Sequence, residues 1–329
     1  MSEIGILGAG TWGMALARML YNSGHAVTVW SAIPAEVEQL RQTRRQANLP
    51  DMVIPDGIAF TQSVAEVCTG RELLLFVVPS VYVRSTARAA APFVPAGQLV
   101  ADAAKGIEPD TLMTMTEILK QEIPGIRAVA LSGPTHAEEV ARDLPTTVVS
   151  ASEDMEAAER TQDIFMNTCM RVYTNRDVKG VELCGALKNI MALAAGISEG
   201  LGYGDNTKAA LITRGLAEMV RLGDKMNCER NTFSGLAGMG DLIVTATSRH
   251  SRNNRCGYLI GSGMKPREAI AKVGMVVEGV NALPAAMTLA ERYGVEMPIV
   301  RAVDRVIRSG ADPEEEVRRL MARDRKAEW

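Results

Sequence analysis

The sequence predicts an α/β fold: an N-terminal doubly wound parallel sheet over residues 1–177, joined to a C-terminal all-α domain over residues 178–329. Three observations predict it. The chain has 329 residues, a length that suggests two domains. Its first half alternates short apolar runs with helix-period segments, the pattern of a parallel sheet covered on both faces. From about Asn175 the strand-like runs nearly vanish and long helix-period segments take over.

The strands, in order, are "EIGIL", "AVTVW", "LLLFVV", "QLVAD", "RAVAL" and "TTVVS", with "MRVYT" at 170–174 as a last one. Amphipathic stretches at 14–22, 81–91 and 112–122 supply helices between them. In the second half, helices are expected at 178–200, 208–226, 266–273, 282–293 and 298–308. "DPEEEVRRLM" closes the chain as a helix with Asp312 at the N-cap, Pro313 at N1 and acids in the first turn.

Composition narrows the function classes. The net charge of −3 offers no field to attract nucleic acid or an acidic membrane. Apolar runs such as "LLLFVV" are too short to span a bilayer, and the start "MSEIGILGAG" reads as no signal peptide, so no membrane insertion is expected. The five cysteines are scattered, without C-x-x-C or clustered histidines, which argues against a metal site and fits a cytoplasmic protein. The 18 methionines are read as adaptable core packing.

The chemistry begins at "ILGAGTWGMALA", where Gly8, Gly10 and Gly13 form G-x-G-x-x-G between the first strand and the first helix. Glycine allows the tight turn, the close approach of backbone to a pyrophosphate and close helix–strand packing, and the helix N-terminus supplies free N–H groups. The spacing and its context predict a Rossmann-type sheet that binds a dinucleotide; the alternative reading is a glycine-rich strand–helix turn. At the end of the second strand, where an acid would bind a ribose 2′-hydroxyl, stand Trp30 and Ser31, with no acid until Glu36. Arg41, Arg44 and Arg45 follow. Both NAD and NADP are expected as cofactors.

Polar residues recur at the later strand ends: Ser80 in "VVPS", Lys105 in "AKGIEP", Gly133 and Thr135 in "LSGPTHAEEV". Each alone reads as a solvated turn. Together, at the carboxyl ends of parallel strands, they mark one crevice. The helical half adds Asp241 in "FSGLAGMGDLIVT", which also fits a helix cap, and the set Ser251, Arg252, Asn253 and Arg255 in "HSRNNR", which suits an anionic oxygen cluster such as phosphate. Finally, "CGALKNIMALAAG" places Lys188 alone among small and apolar residues, with Cys184, Gly185 and Ala192 on its face. An unpaired buried ammonium is costly, so Lys188 either snorkels to water along its stem or has a partner and a task. Desolvation lowers a lysine pKa toward neutrality, which suits proton transfer to and from a secondary alcohol.

Taken in order, "GAGTWG", "VPS", "AKG", "SGPTHAEEV", "VELCGALKNIMALAAGISEG", "ALITRGLAEM", "GLAGMGDLIVT", "SRNNR" and "VVEG" make the chain resemble the bacterial NAD(P)-dependent glycerol-3-phosphate dehydrogenases over nearly its whole length. The resemblance implies that Thr11, Trp12, Ala137, Val276 and Glu278 contact the cofactor, and that Ser31 lies at its ribose. It implies that Lys105 touches cofactor and substrate, and that Gly133 and Thr135 bind substrate. Lys188 would be the proton donor and acceptor, with Asp241 beside it. Ser251, Arg252 and Asn253 would hold a phosphate ester, Arg252 also reaching the cofactor. Thr135 stands where serine is frequent and keeps the hydroxyl. The rivals are a 3-hydroxyacid or 6-phosphogluconate-type dehydrogenase, disfavoured by "GLAGMGDLIVT" and "SRNNR", and a non-catalytic nicotinamide-sensing protein, which has no use for Lys188, Asp241 and a phosphate clamp. The oligomeric state is open, with a homodimer as the candidate because helical second domains of this kind often mediate dimers.

Overall fold

In the computed structural model, which describes residues 1–325 and 327–328, ten strands are β1 (Glu3–Leu7), β2 (Ala26–Trp30), β3 (Arg45–Gln46), β4 (Leu49–Val53), β5 (Ala59–Thr61), β6 (Leu73–Phe76), β7 (Leu99–Asp102), β8 (Arg127–Ser132), β9 (Thr146–Ala151) and β10 (Met170–Asn175). Eight of them form one sheet in the order β10-β9-β8-β7-β6-β1-β2-β5, and β3 pairs with β4 in a small hairpin. The chain moves outward from β1 to β2 and then crosses to β6 on the other side of β1. That reversal is the switch point at which doubly wound sheets bind their ligands.

Six strands of the sheet, β5-β2-β1-β6-β7-β8, run parallel, as expected from the alternation of strand and helix. The last two depart from that expectation: β9 is antiparallel to β8, and β10 then runs parallel to β9. The link from β8 to β9 holds only the four-residue helix Ala137–Val140, too short for the crossover that a parallel return requires. The β3–β4 hairpin and β5 were not anticipated; β3 and β5 have only two and three residues, and Pro50 and Asp51 interrupt the apolar run of β4.

The central strands bury both faces. Ile4, Ile6, Val27, Val29, Leu73 and Leu75 belong to one apolar layer, while Leu7, Trp30, Leu74, Phe76 and Val100 belong to the other. This alternation is the period-two pleat expressed in side chains. The third apolar cluster is built around a central helix, Val178–Gly200. Asp177 starts that helix, its carboxylate accepting from the Gly180 N–H at 2.9 Å and, on its other oxygen, from Glu229 N–H and Thr232 Oγ1, both at 2.8 Å. Apolar all round, this helix has the length and mean hydropathy, 1.3, to cross a membrane, yet helices of the same chain bury it. The terminal helix Pro313–Met321 is capped by Asp312 as expected.

The helix Arg252–Gly261 packs closest on the central helix, backbone against backbone. A Cβ on Gly257 would sit 2.1 Å from the Leu193 carbonyl oxygen, and one on Gly196 would sit 2.0 Å from that of Asn254. This crossing holds residues 251–255 against the middle of the central helix. Gly257→Ala is therefore expected to cost about 3 kcal/mol, the upper end for overpacking. Thermal unfolding should show a midpoint lowered by roughly 5 °C or more. An unchanged midpoint would mean that the two helices separate freely.

Candidate active site

The cleft opens at the carboxyl ends of β1, β6, β7 and β8 and is closed on its far side by the helical half. Its walls include Gly10, Thr11, Trp12, Val77–Pro79, Ala103–Lys105 and Thr135–Glu138 from the sheet side. Lys188, Asn189, Asp241, Thr245, Arg249–Asn253, Arg255, Met275 and Glu278 line it from the helical side.

At one end lies the glycine loop. Gly8 turns the chain out of β1 at φ 127°, and a Cβ on Gly13 would meet the Gly8 carbonyl oxygen at 2.0 Å. Gly10 is the N-cap of the helix Thr11–Asn22 and nothing lies within 4 Å of where its Cβ would be. No side chain caps this helix and no acid sits in its first turn, so its leading N–H groups face an open cradle. That arrangement fits the pyrophosphate of a dinucleotide. Asn48, at the β3–β4 turn, reaches over the loop and donates to Thr11 Oγ1 at 3.2 Å.

At the centre, one buried carboxylate faces two ammonium groups. Asp241 is 1% exposed and Lys188 4% exposed, so neither charge is tolerable without the other. Lys188 Nζ lies 3.0 Å from Asp241 Oδ1 and donates to Thr245 Oγ1 at 2.7 Å. Lys105 Nζ donates to Asp241 Oδ2 at 2.6 Å, to the Gly133 carbonyl at 3.0 Å and to Thr135 Oγ1 at 3.3 Å. With three acceptors the Lys105 ammonium is saturated; Lys188 has two and keeps one N–H for a ligand in the cleft. Burial pushes the Lys188 ammonium down to about 8, and Asp241 opposes the fall. Burial alone would raise the Asp241 carboxyl, but Lys105 and Lys188 override it and hold it below the usual range.

The geometry of this triad comes from local structure. A π-helical turn, Leu236–Gly240, leads into the helix Asp241–Thr247, so Asp241 opens that helix but spends its side chain on lysines rather than on a cap. Thr245, one turn later, shares its face; its hydroxyl donates to the Asp241 carbonyl at 2.6 Å while accepting from Lys188. Gly185 makes room for Lys105, whose Cγ would be 3.4 Å from a Cβ there.

At the far end, Ser251 caps the helix Arg252–Gly261 by accepting from the Asn254 N–H at 3.2 Å. Arg252 is exposed to the cleft, and among the described residues its guanidinium has no hydrogen-bonding partner. Asn253 lines the cleft and also braces the helical half: its amide donates to Asn189 Oδ1 at 2.9 Å and its oxygen accepts from the Gly279 N–H at 2.8 Å, with one N–H left over. A free guanidinium beside a helix N-terminus is a ready anion site. Across the seam, Glu278 accepts from Ser80 N–H at 3.0 Å and Ser80 Oγ at 2.6 Å, tying the helical half to the end of β6.

The cleft thus assembles Gly10, Thr11, Trp12, Lys105, Thr135, Ala137, Lys188, Asp241, Ser251, Arg252, Asn253 and Glu278, with Gly8, Gly13 and Gly133 supplying backbone. Among the described lining residues two expected members are lacking. Ser31 is buried beside the glycine loop with its hydroxyl bonded to Glu36, and Val276 sits between the cleft residues Met275 and Glu278 without lining it. Sequence reasoning missed Asn189, Asn48 and Thr245. Asn189 adjoins Lys188 and Thr245 lies one turn from Asp241, so adjacency and helical spacing were the available signals. A second cavity, of about 280 Å³, lies between the central helix and the helices Asp205–Lys225, Pro298–Asp304 and Pro313–Met321; it is mostly aliphatic and shares no lining residue with the cleft.

A doubly wound sheet with a glycine loop, a helical second half and a buried lysine–carboxylate pair between them defines a dinucleotide-dependent dehydrogenase. Family profiles described as the N-terminus and the C-terminus of NAD-dependent glycerol-3-phosphate dehydrogenase match residues 3–158 and 177–318. The chain belongs to that family. It is 63% identical to glycerol-3-phosphate dehydrogenase [NAD(P)+] 2 of Lactobacillus delbrueckii subsp. bulgaricus, over 100% of this chain and 99% of that protein. It is 50% identical to glycerol-3-phosphate dehydrogenase [NAD(P)+] of Agathobacter rectalis, over 100% and 98%. The crystal structure of glycerol-3-phosphate dehydrogenase from Coxiella burnetii superposes with a TM-score of 0.94 at 36% identity, covering 98% of this chain and 99% of that one.

Replacing Asp241 by Asn should leave two ammonium groups facing each other without a counter-charge. Breaking a buried pair in this way costs about 3–5 kcal/mol, which urea unfolding would read directly. Wild-type stability in Asp241→Asn would mean that solvent already screens both lysines.

Proposed function

We propose that the chain catalyses reversible hydride transfer between sn-glycerol 3-phosphate and dihydroxyacetone phosphate with NAD or NADP, supplying glycerol phosphate for phospholipid synthesis. The observation that carries this reading is the Lys188–Asp241–Lys105 triad, set between an uncapped helix N-terminus at one end of the cleft and the free Arg252 guanidinium at the other. Residues 1–177 hold the cofactor, chiefly through Gly8, Gly10, Thr11, Trp12, Gly13 and Ala137. Residues 178–329 carry the proton-transfer and phosphate-binding groups.

The bound nicotinamide supplies the hydride acceptor or donor. This chain's residues do the rest. Lys188 takes the hydroxyl proton as the alcohol is oxidised and returns it when the ketone is reduced. Asp241 balances the ammonium and fixes its position with Thr245. Lys105, anchored on Gly133 and Thr135, sets the net charge of the triad to +1 and so favours an oxygen that gains negative charge. Arg252 and the N–H groups at the start of its helix hold the phosphate, whose binding energy positions the reacting carbon. Asn253 braces Asn189 and residue 279 and has a second amide N–H left for the ligand. The five free cysteines, four of them buried, support a cytoplasmic setting.

Lys188→Met should lower kcat by about 10²–10⁴-fold, the range for loss of a general acid–base group, while NADH binding measured by calorimetry stays near wild type. Near-wild-type turnover would remove Lys188 from the mechanism. With Lys188 at about 8, the two directions should respond oppositely to pH. Alcohol oxidation needs the neutral amine and should rise through pH 8; ketone reduction needs the ammonium and should fall through it. Profiles of kcat that are flat from about pH 6.5 to 9.5 in both directions would contradict the assignment.

A further inference from the structure

The second cavity, of about 280 Å³, shares no lining residue with the cleft, and no step of the proposed reaction passes through it. Its walls are largely aliphatic, with Ile197 of the central helix, Leu211, Ile299, Val303, Val306 and Leu320 among them. The helix Asp205–Lys225 closes one side, and the stripe it turns inward is not apolar. Leu211, Arg214, Glu218 and Arg221 follow one another at helical spacing, so two guanidinium groups and a carboxyl line an aliphatic space.

The carboxyl groups here are engaged and the guanidinium groups are not. Glu218, buried, accepts from the Ile299 N–H at 2.7 Å and the Val300 N–H at 3.3 Å, and so caps the helix Pro298–Asp304. Glu296 pairs with Arg323 at 3.1 Å, and Glu316 pairs with Arg305 and Arg319. Arg221 donates from Nη2 to the Glu296 carbonyl at 2.9 Å, but its buried Nε–H has no acceptor among the described residues. Arg214, half-buried in the same wall, has no hydrogen-bonding partner among them either. Burial disfavours the charged form of Arg221. A buried donor without an acceptor is rare in folded proteins and costs the desolvation of that group. An anionic oxygen in this cavity removes that cost, and the aliphatic walls accept an apolar chain attached to it.

We propose that this cavity binds a straight-chain alkyl carboxylate, with its head on Arg221 and Arg214 and its tail among Ile197, Leu211, Val303 and Leu320. The volume sets the length: at about 30 Å³ for a group the size of a water, the cavity holds roughly nine such groups, so a chain of about eight carbons fills it. Guanidinium binds carboxylate through charge-assisted hydrogen bonds, and each buried CH₂ adds about fourfold to the affinity. No residue of the cleft takes part, so the site stands whether or not the dehydrogenase reading does.

Calorimetric titration of the full chain with butanoate, hexanoate and octanoate tests this. Octanoate should bind saturably, one per chain, and affinity should rise by roughly fifteenfold for every two carbons added. Octan-1-ol, the same chain without the charge, should bind roughly tenfold more weakly or worse. NADH, bound in the cleft, should leave the octanoate affinity unchanged. Arg221→Gln should lose about the same tenfold. Ala210→Trp, a change at an exposed position on the rim, should abolish binding while the melting temperature holds. An affinity that is flat along the series, equal affinity for octan-1-ol, competition by NADH, or full binding in Ala210→Trp would overturn the proposal. So would a dimer in sedimentation velocity that takes up no octanoate and that Ala210→Trp dissociates, because a second copy would then cover the cavity.

Discussion

The Asp241 carboxylate is the constraint from which the rest of the molecule follows. It is buried between two lysines that arrive from different halves of the chain: Lys105 after β7 of the sheet, Lys188 from the middle of the central helix. None of the three can leave water alone, because the effective penalty for an unpaired buried ion is several kcal/mol. The halves must therefore dock in one register for any of these charges to be tolerated. The Glu278–Ser80 contact repeats the same logic a short way along the seam, joining the start of the helix Glu278–Arg292 to the end of β6. Docking and chemistry are one event here.

Small residues make that docking possible. Gly185 lets Lys105 lie against the central helix, and Gly196 with Gly257 lets the helix that carries Arg252 approach backbone to backbone. The central helix has almost no polar face on which to lean toward solvent, so the Lys188 stem is held on every side and its ammonium has little choice of direction. Proton transfer needs that kind of fixed geometry more than it needs an unusual residue.

Much of this was legible in the sequence, for identifiable reasons. The helix at 178–200 was read with its observed bounds because a long helix-period segment begins there as the strand-like runs end. Lys188 stood out because a lone charge in such a run violates the cost of desolvation. The reversal of β9 was not legible, since strand direction depends on whether the preceding link crosses the sheet, and "GPTHAEEV" reads as a helix start of any length. Nor was the bracing role of Asn253 legible: amide, hydroxyl and guanidinium look equally available in "HSRNNR", and only packing shows the bonds of Asn253 to Asn189 and Gly279. Thr245 escaped because a threonine one turn from an aspartate acquires meaning only when a lysine arrives from another helix. Glu36 was visible as the first acid after β2, but the turn that returns it to the strand tip was not.

Other carboxyl groups are buried beneath the cleft, and burial raises them. Asp102 ends β7 beneath the Lys105 loop, fully buried, with Oδ2 accepting from the Ala104 N–H at 3.1 Å and Oδ1 without a partner among the described residues. Burial, reinforced by Glu182 and Glu278, pushes the Asp102 carboxyl well above the carboxylate range. Burial likewise raises Glu182, which accepts from Thr116 N–H at 2.8 Å and Thr116 Oγ1 at 2.5 Å. Asp102 shapes the loop that carries Lys105 through its bond to Ala104, and Lys105 pairs with Asp241. Burial pushes Asp102, Glu182 and Asp241 in the same upward direction, and of the three it is Asp241, clasped by both ammonium groups, that is held below its ordinary value.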